Sequence, residues 1–123
     1  YNKDDDYPDF IIPVARAVSQ DPENNRGIIF GGSGQGEAMA ANRFIGARAA
    51  VFYGPPSGFL EKMGEGITDP FTVIKHSREH NDANILSLGA RFLSEEIAIK
   101  GVLTWLETPF SGEERHIRRI GKF

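Results

Sequence analysis

Apolar residues recur at helical spacing in some segments of this chain and form short continuous runs in others. The first helical segment begins at Tyr7-Pro8-Asp9, where the proline suits the first position of a helix. Its predicted core-facing stripe consists of Phe10, Ile11, Val14, Ala15 and Val18. Three short apolar runs predict strands at about 27–30, 47–52 and 85–88. Because the first run is apolar throughout, we expect that strand to be buried on both faces.

Four further helices are predicted between and after the strands. A short one follows the glycines that end the first strand. Asp69-Pro70 is a typical N-cap and first position for a helix that runs to about His80. A longer amphipathic helix opens at Ser94, and its predicted buried face contains Ile97, Val102, Trp105 and Leu106. The last helix starts at about Gly112 and carries several arginines.

The alternation of strands and helices predicts the fold class. Such a chain forms a parallel sheet with helices packed on both of its faces. We therefore predict a Rossmann-like, three-layer α/β/α fold with a mostly parallel sheet, formed by residues 1–123 as a single domain. Residues 54–69 are rich in proline and glycine and exceed the usual connection of about two to six residues, so they are predicted to form an insertion loop.

Composition narrows the possible functions. The 123 residues carry a net charge of −3, which argues against a nucleic-acid partner. The chain has no cysteine, which excludes disulfides, thiolate metal sites and a cysteine nucleophile. No apolar run approaches the about 20 residues that span a bilayer. With no targeting signal visible, we expect a cytoplasmic protein without a membrane partner.

The segment 31–37, Gly-Gly-Ser-Gly-Gln-Gly-Glu, carries the clearest chemical signal. A strand that runs into four glycines and then a helix presents backbone N–H groups to an anion. The segment lacks the Gly-Lys-Ser/Thr of a phosphate loop, and Glu37 replaces the third glycine of a dinucleotide fingerprint. A tight turn alone would also need glycine, but four glycines in six residues are more than a turn requires. Glu37 is then a candidate base, although an acid in a first helical turn can simply complement the helix dipole.

Two basic features lie further along the chain. His80 and Asn81 come just before the third strand, and we place them at the mouth of the sheet, although a lone histidine is often structural. Arg115 and Arg119 are four residues apart, so they share one helical face and can clamp a phosphate. Spacing alone equally allows a solvated basic tail.

Taken together, these residues resemble the ribose-5-phosphate isomerase type B family, which includes the galactose-6-phosphate isomerase subunits. The matching motifs cover most of the chain in the family's order. They are the segments 6–10 (Asp-Tyr-Pro-Asp-Phe), 31–37 with 40–43, 77–84 (Ser-Arg-Glu-His-Asn-Asp-Ala-Asn), 103–110 and the arginine-rich 115–119. One branch of the family uses a cysteine base at the position of Gly31. The other branch, which this sequence resembles, has glycine there and a glutamate at the end of the loop.

The resemblance implies a role for each matching residue. Glu37 would be the base that moves a proton between C1 and C2 of the open-chain sugar, Ser33 would shuttle a proton between the two oxygens, and His80 would assist ring opening. The oxyanion hole would be formed by the backbone amides of Gly32, Ser33, Gly34, Gln35 and Gly36. The predicted substrate contacts are Tyr7, Asn81, Arg91, Arg115 and Arg119, with the three arginines on the phosphate.

The resemblance also implies an assembly. The family works as a homodimer with active sites between subunits, without a metal or another cofactor. Its members begin with a strand that ends in Asp-His, a helix and a second strand. That part is absent from this sequence, so we expect the first strands of the family fold to be missing and the site to be incomplete without them.

The predicted activity is aldose–ketose isomerisation of a phosphorylated sugar through an enediolate, with ribose 5-phosphate to ribulose 5-phosphate as the first choice. An isomerase of a hexose 6-phosphate, such as allose or galactose 6-phosphate, is one alternative. A non-catalytic sugar-phosphate-binding or partner subunit of a related isomerase is another. A nucleotide-binding module is the weakest alternative because the loop has no phosphate-binding lysine.

Overall fold

The computed structural model describes residues 2–54 and 69–123. The predicted insertion loop at 54–69 therefore lies, apart from its two end residues, outside the described residues. The described helices and strands in chain order are α1 (Tyr7–Gln20), β1 (Gly27–Gly31), α2 (Gln35–Ala41), β2 (Ala49–Phe52), α3 (Thr72–Glu79), β3 (Ile85–Gly89), α4 (Glu95–Glu107) and α5 (Glu114–Ile120).

The three described strands form one parallel sheet in the order β1-β3-β2. β3 is central: Gly27 aligns with Ile85 on one side, and Ala49 aligns with the same residue on the other. The glycines that end β1 and β3 also align, Gly31 beside Gly89. All three strands thus point the same way, and this confirms the predicted fold class.

Two apolar clusters cover the two faces of the sheet. The cluster under α1 and α2 consists of Ile11, Ala15, Val18, Ile29, Ala41, Ala47 and Ile85. The cluster under α3 and α4 consists of Phe52, Phe71, Ile74, Ala83, Leu86, Leu88 and Trp105. Ile85 and Leu86 are neighbours in β3 but belong to opposite clusters, because successive side chains of a strand point to opposite faces. The result is the predicted three-layer arrangement.

Burial differs from the prediction at three apolar positions. Phe30 of β1 is 60% exposed, so the expectation that this strand is buried on both faces is wrong. β1 lies at an edge of the described sheet, and the helices do not cover its end. Phe10 and Leu106 are about half exposed because each lies one residue, or about 100° of helical turn, from the buried stripe of its helix.

Two element boundaries differ from the prediction because side chains bond backbone N–H groups there. β2 begins at Ala49 rather than 47, since the Arg48 N–H donates to the Asn84 side chain at 2.8 Å. α3 begins at Thr72 with Phe71 as its N-cap, so Asp69-Pro70 precedes the helix rather than opening it. The Asp69 carboxylate accepts from the Phe71 N–H at 2.9 Å, so it organises the turn before α3.

The last two helices are close to their predicted ranges. α4 opens at Ser94, as predicted: Ser94 is its N-cap, and the Ser94 hydroxyl accepts from the Ile97 N–H at 3.3 Å. α5 begins two residues after Gly112, whose φ of +66° interrupts the helical conformation. Among the helices in the described ranges, none has the length and apolar character needed to cross a membrane.

Candidate active site

The glycine-rich loop lies where the parallel strands end, which we call the carboxyl edge of the sheet. Ligands of open α/β sheets bind at this edge. The loop is held by its carbonyl groups: Gly31 O accepts from Ala90 N at 2.9 Å and Gly32 O accepts from Arg91 N at 3.2 Å. These bonds tie the loop to the segment after β3. They leave N–H groups of the loop and of the first turn of α2 available to an anion.

Glu37 fills the space above Gly31. Its side chain is only 6% exposed, and a Cβ placed on Gly31 would lie 1.8 Å from Oε1 of Glu37. A side chain at residue 31 and the Glu37 carboxylate therefore compete for one position. Within the described ranges, no salt bridge neutralises this carboxylate. A buried carboxylate with no cationic partner among the described residues, beside a row of backbone amides, is chemically suited to accept a proton.

Ser87 fixes the far side of the loop. Its buried hydroxyl donates to Gly34 O at 2.7 Å. Gly34 has a φ of +73° and caps α2, and a Cβ there would lie 3.1 Å from the Ser87 hydroxyl. Both the backbone conformation and the close contact require glycine at this position. The Ser87 side chain therefore supports the turn between β1 and α2.

Two predicted substrate contacts lie against the glycines of the loop. A Cβ placed on Gly36 would lie 2.7 Å from the Tyr7 hydroxyl, and a Cβ placed on Gly32 would lie 2.9 Å from the Arg91 Cζ. Tyr7 is 50% exposed and Arg91 is exposed, so both can reach a ligand. Ser33 is also exposed, and its hydroxyl accepts from Gln35 N at 3.3 Å.

Tyr53 also belongs to this edge and was missed in the sequence. It follows β2 directly, and its hydroxyl is hydrogen-bonded to the Gln35 side chain. Its ring packs on Gly89 and meets Phe92 edge-on at 5.2 Å. The available signal was its position immediately after a predicted parallel strand, where ligand contacts concentrate.

His80 lies at the opposite edge of the sheet. It is the C-cap of α3, five residues before β3 begins. Since a five-residue strand is roughly 13 Å from first to last Cα, the β3 strand alone separates this amino edge from the glycine loop by about that distance. Our placement of His80 and Asn81 at the mouth of the sheet is therefore wrong within one chain. The reason is that a helix leading into a strand ends where that strand starts.

His80 lies between two other imidazoles. Its ring is 4.5 Å from that of His76, nearly parallel, and 4.5 Å from that of His116. Partial burial, reinforced by these two neighbouring imidazoles, lowers the pKa of His80 below its usual value. His116 is itself buried, and its Nδ1 is 2.9 Å from the Ser111 hydroxyl. A neutral His80 can act as either a proton donor or an acceptor near neutral pH.

The arginines of α5 belong to the same edge as His80. The segment before α5 is tied to the end of α3, because Ser111 N donates to Glu79 O at 3.1 Å. Arg115 contributes to the electrostatic environment of His80 and pairs with Glu113 at 2.7 Å. Arg119 is exposed. The three predicted phosphate-binding arginines are thus divided, with Arg91 at the carboxyl edge and the other two at the amino edge.

Arg78 organises the amino edge and was not singled out in the sequence. It is 5% exposed, and its guanidinium donates to Asp82 Oδ1, to Ala83 O and to Thr108 O at 2.7, 2.7 and 3.2 Å. Asp82 also pairs with Arg48 at 2.8 Å. This network holds the turn with His80 and Asn81 against the segment that leads to α5. The motif 77–84 therefore combines a buried scaffold with two accessible side chains.

An apolar groove of about 470 Å³ runs between β1 and α4. Phe30, Ile99 and Leu103 line it, and each is more than half exposed. None of the predicted catalytic or substrate-binding residues lines this groove. It is therefore separate from both groups of candidate active-site residues.

The fold and the carboxyl edge together describe a Rossmann-like α/β protein with a glycine-rich loop that ends in a buried carboxylate. The family described as Ribose/Galactose Isomerase matches residues 1–63 and 66–123. Ribose-5-phosphate isomerase B of Mycobacterium tuberculosis is 37% identical over 120 residues, which cover 98% of this chain and 64% of that protein. The chain belongs to the Ribose/Galactose Isomerase family.

Solved structures agree with this family membership. Ribose-5-phosphate isomerase B from Mycoplasma genitalium, crystallised with bound ribulose-5-phosphate, superposes with a TM-score of 0.80 at 34% identity, covering 99% of this chain and 69% of that one. Type B ribose 5-phosphate isomerase from Trypanosoma cruzi superposes with a TM-score of 0.78 at 40% identity, and the match covers 96% of this chain and 67% of that one. The chain spans about 64% of the length of the curated mycobacterial relatives that it matches.

Proposed function

We propose that this protein is an aldose–ketose isomerase that converts ribose 5-phosphate to ribulose 5-phosphate. The observation that carries the proposal is the buried Glu37 carboxylate above Gly31, at the end of a loop of backbone amides. Family membership supports it, as does the ribulose-5-phosphate bound to the Mycoplasma genitalium relative.

The proposed reaction moves one proton between adjacent carbons. Glu37 takes the proton from C2 of the open-chain aldose, and the electrons of that C–H bond form the C1–C2 double bond of an enediolate. The proton then returns to C1, while the Ser33 hydroxyl carries a proton from O2 to O1 and a ketone forms at C2. Amides of residues 32–36 stabilise the enediolate oxygen, and such stabilisation is worth a few kcal/mol for each donor.

The proposed site is assembled from two copies of the chain. Glu37, Ser33, Tyr7 and Arg91 lie at the carboxyl edge, whereas a second group lies at the amino edge and consists of His80, Asn81, Arg115 and Arg119. One substrate can touch both groups only if the amino edge of one copy faces the carboxyl edge of another. We therefore propose a homodimer with shared sites, a case in which closed twofold symmetry gives two equivalent sites.

In this dimer His80 opens the sugar ring and the α5 arginines bind the phosphate. The phosphate is remote from C1 and C2, so its binding energy holds the reacting carbons against Glu37. Arg115 and Arg119 are one helical turn apart, a spacing that allows two charge-assisted contacts to one phosphate.

The test is Glu37→Gln, assayed with ribose 5-phosphate, allose 6-phosphate and galactose 6-phosphate. We expect wild-type turnover to be highest with ribose 5-phosphate, and the variant to lose about 10³-fold or more in kcat with every sugar that is turned over. Glu96→Gln is the matched control, because Glu96 is an exposed glutamate in the first turn of α4. Retained turnover in Glu37→Gln would remove Glu37 from the role of base.

The same assay separates the remaining candidates. Higher turnover of a hexose 6-phosphate would change the proposed substrate but leave the proposed proton-transfer mechanism in place. Sugar-phosphate binding without turnover by the wild-type protein, measured by calorimetry, would favour a non-catalytic partner subunit. The lack of a salt bridge to Glu37 within residues 2–54 and 69–123 argues against that reading, because a merely structural buried carboxylate is normally paired.

A further inference from the structure

The end of α3 carries a second group of chemically reactive side chains. His76, Glu79 and His80 each offer one ligand atom, and these atoms all lie within 4.8 Å of one another. In the part of the chain that the structure describes, this is the one group of histidine and carboxylate side chains with such spacing. We propose that it binds a divalent transition-metal ion such as Zn²⁺, and that the bound ion inhibits the isomerase by occupying His80. The inhibitory half of this proposal rests on the proposed function.

Sequence spacing supports the metal site. Residues 76–80 read His-Ser-Arg-Glu-His, and two histidines four apart lie on the same face of a helix. Paired histidines at this spacing, with a glutamate next to the second one, bind zinc in a class of zinc peptidases. Imidazole nitrogen and carboxylate oxygen are both common zinc ligands.

The geometry lies close to what zinc requires. The His76 and His80 rings are stacked 4.5 Å apart at an interplanar angle of 20°, and His76 Nε2 is 4.0 Å from Glu79 Oε2. Two ligand atoms on a tetrahedral zinc ion are about 3.3 Å apart, given zinc–nitrogen bonds of about 2.0–2.1 Å. Side-chain rotations that bring the ligand atoms closer by up to about 1.5 Å remove the difference. The His76 and Glu79 side chains are free to make that rotation, since they are 51% and 39% exposed.

Charge and access also suit a cation. The Glu79 carboxylate contributes a negative charge, and the nearby positive Arg115 is already paired with Glu113 at 2.7 Å. His116, the other imidazole that touches His80, is buried and engaged with Ser111, so it supports the His80 ring from behind rather than adding a ligand. Two histidines and one carboxylate leave a fourth tetrahedral position open for water.

Occupation of the site has a direct consequence for the proposed reaction. A metal bound to the His80 nitrogen removes the lone pair that ring opening requires. His76 does not contact the substrate in the proposed chemistry and acts on it only through the pKa of His80. The metal site and the proposed catalytic group therefore overlap in His80 alone. Loss of His76 should therefore separate metal binding from catalysis.

The binding experiment uses purified protein titrated with Zn²⁺ by isothermal calorimetry, and its result does not depend on the proposed function. We expect one Zn²⁺ per chain in the wild type and at least about tenfold weaker Zn²⁺ binding in His76→Gln. Loss of a residue that only hydrogen-bonds to a metal ligand already weakens metal affinity by about tenfold or more, and His76 would be a ligand itself. Val73→Gln is the matched control: it adds the same glutamine at an exposed position of α3 without removing an imidazole. Equal Zn²⁺ affinity in wild type and His76→Gln would overturn the site.

The activity experiment follows turnover of ribose 5-phosphate at increasing Zn²⁺. We expect reversible inhibition of the wild type and of Val73→Gln, relieved by a chelator. Relative to its own metal-free rate, His76→Gln should need at least about tenfold more Zn²⁺ for the same fractional inhibition, in parallel with its affinity. Zinc binding without inhibition, or equal inhibition of His76→Gln, would overturn the regulatory half. A wild type inactive toward every sugar phosphate would contradict the proposed function and leave the calorimetric result to decide the metal site.

Discussion

The carboxylate of Glu37 occupies the position that a side chain on Gly31 would need, with Oε1 1.8 Å from the ideal Cβ. The two residues are six apart, and the strand-to-helix turn folds one over the other. A side chain at residue 31 and a base at residue 37 are thus alternatives in one space. This steric relation gives a physical reason why a base at residue 31 and a base at residue 37 would exclude each other.

Gly31→Ala should displace the Glu37 carboxylate. The contact is with the end of a flexible side chain, so we expect the free energy of unfolding to change by about 1 kcal/mol or less. We expect kcat to fall about 10²-fold, since a misplacement of about 1 Å has that effect on a positioned catalytic group. Gly121→Ala, where a Cβ would have no contact closer than 3.4 Å, is the control in both assays. An unchanged kcat in Gly31→Ala would show that the position of Glu37 is not critical.

A double substitution tests the competition for space directly. Gly31→Cys alone should destabilise the protein, whereas Gly31→Cys combined with Glu37→Ala should recover part of that loss, because the second change vacates the space. We expect a coupling free energy of about 0.5–3 kcal/mol from urea unfolding of the full cycle. Strict additivity would mean that the two side chains do not meet.

Ser87→Ala should loosen the glycine loop. It removes the buried hydrogen bond to Gly34 O and should cost about 1 kcal/mol of unfolding free energy, with a larger effect on kcat than on KM. Ser19→Ala is a matched control, because its hydroxyl donates to Ile45 O at 2.6 Å, away from the loop. We expect that control to keep full activity. Equal kinetic constants for the two variants would argue against a positioning role of Ser87.

Arg78→Met should destabilise the amino edge most strongly. The substitution removes the cationic hydrogen-bond donor of the Ala83 and Thr108 carbonyls and of Asp82 Oδ1. We expect the free energy of unfolding, measured in urea, to fall by about 3 kcal/mol. Arg118→Met, an exposed change on α5, is the comparison and should be nearly neutral. A loss below that of Arg118→Met would contradict the scaffold role of Arg78.

Arg119→Ala should have the opposite profile. The side chain is exposed, so the melting temperature should stay within the error of the wild type. If the residue binds phosphate, KM for ribose 5-phosphate should rise about tenfold or more, since hydrogen bonds to charged groups are worth about 1.5–3 kcal/mol. Arg16→Ala, an exposed arginine of α1, should change neither quantity. Matched losses of stability and affinity would count against the phosphate role.

The turn before α3 should make a small, pH-dependent contribution to stability. Hydrogen bonds from Lys75 and from the Phe71 N–H lower the pKa of Asp69 below its ordinary value of 3.8. The stabilisation is therefore fully present above pH 3.8 and is lost as the pH falls through the lower folded-state pKa. Wild type should melt slightly above Asp69→Asn at pH 6, and the gap should close toward pH 2. If the difference in melting temperature between wild type and Asp69→Asn persists at pH 2, the ionised Asp69 carboxylate is not the cause of that difference.

Local patterns predicted the elements well because they depend on neighbours in the chain. Helical spacing located α1 and α4, the predicted opening of α4 at Ser94 is confirmed, and the glycine run marked the turn after β1. The wrong start of β2 depends on a distant partner. The Asn84 side chain, 36 residues further along the chain, accepts a hydrogen bond from the Arg48 N–H, and no local pattern of residues 47–52 encodes that bond.

The sequence by itself determined the fold class and the residue types of the proposed site, since strand-helix alternation and the motif 31–37 are local properties of the chain. It did not determine which of these residues can meet. The parallel sheet places Glu37 and His80 at opposite edges, because a helix that leads into a strand ends at the strand's start. Only the tertiary structure showed that Glu37 covers Gly31, that Ser87 holds Gly34, and that Arg78 supports the turn with His80. Each of these contacts joins segments that come together only when the sheet and its helices pack.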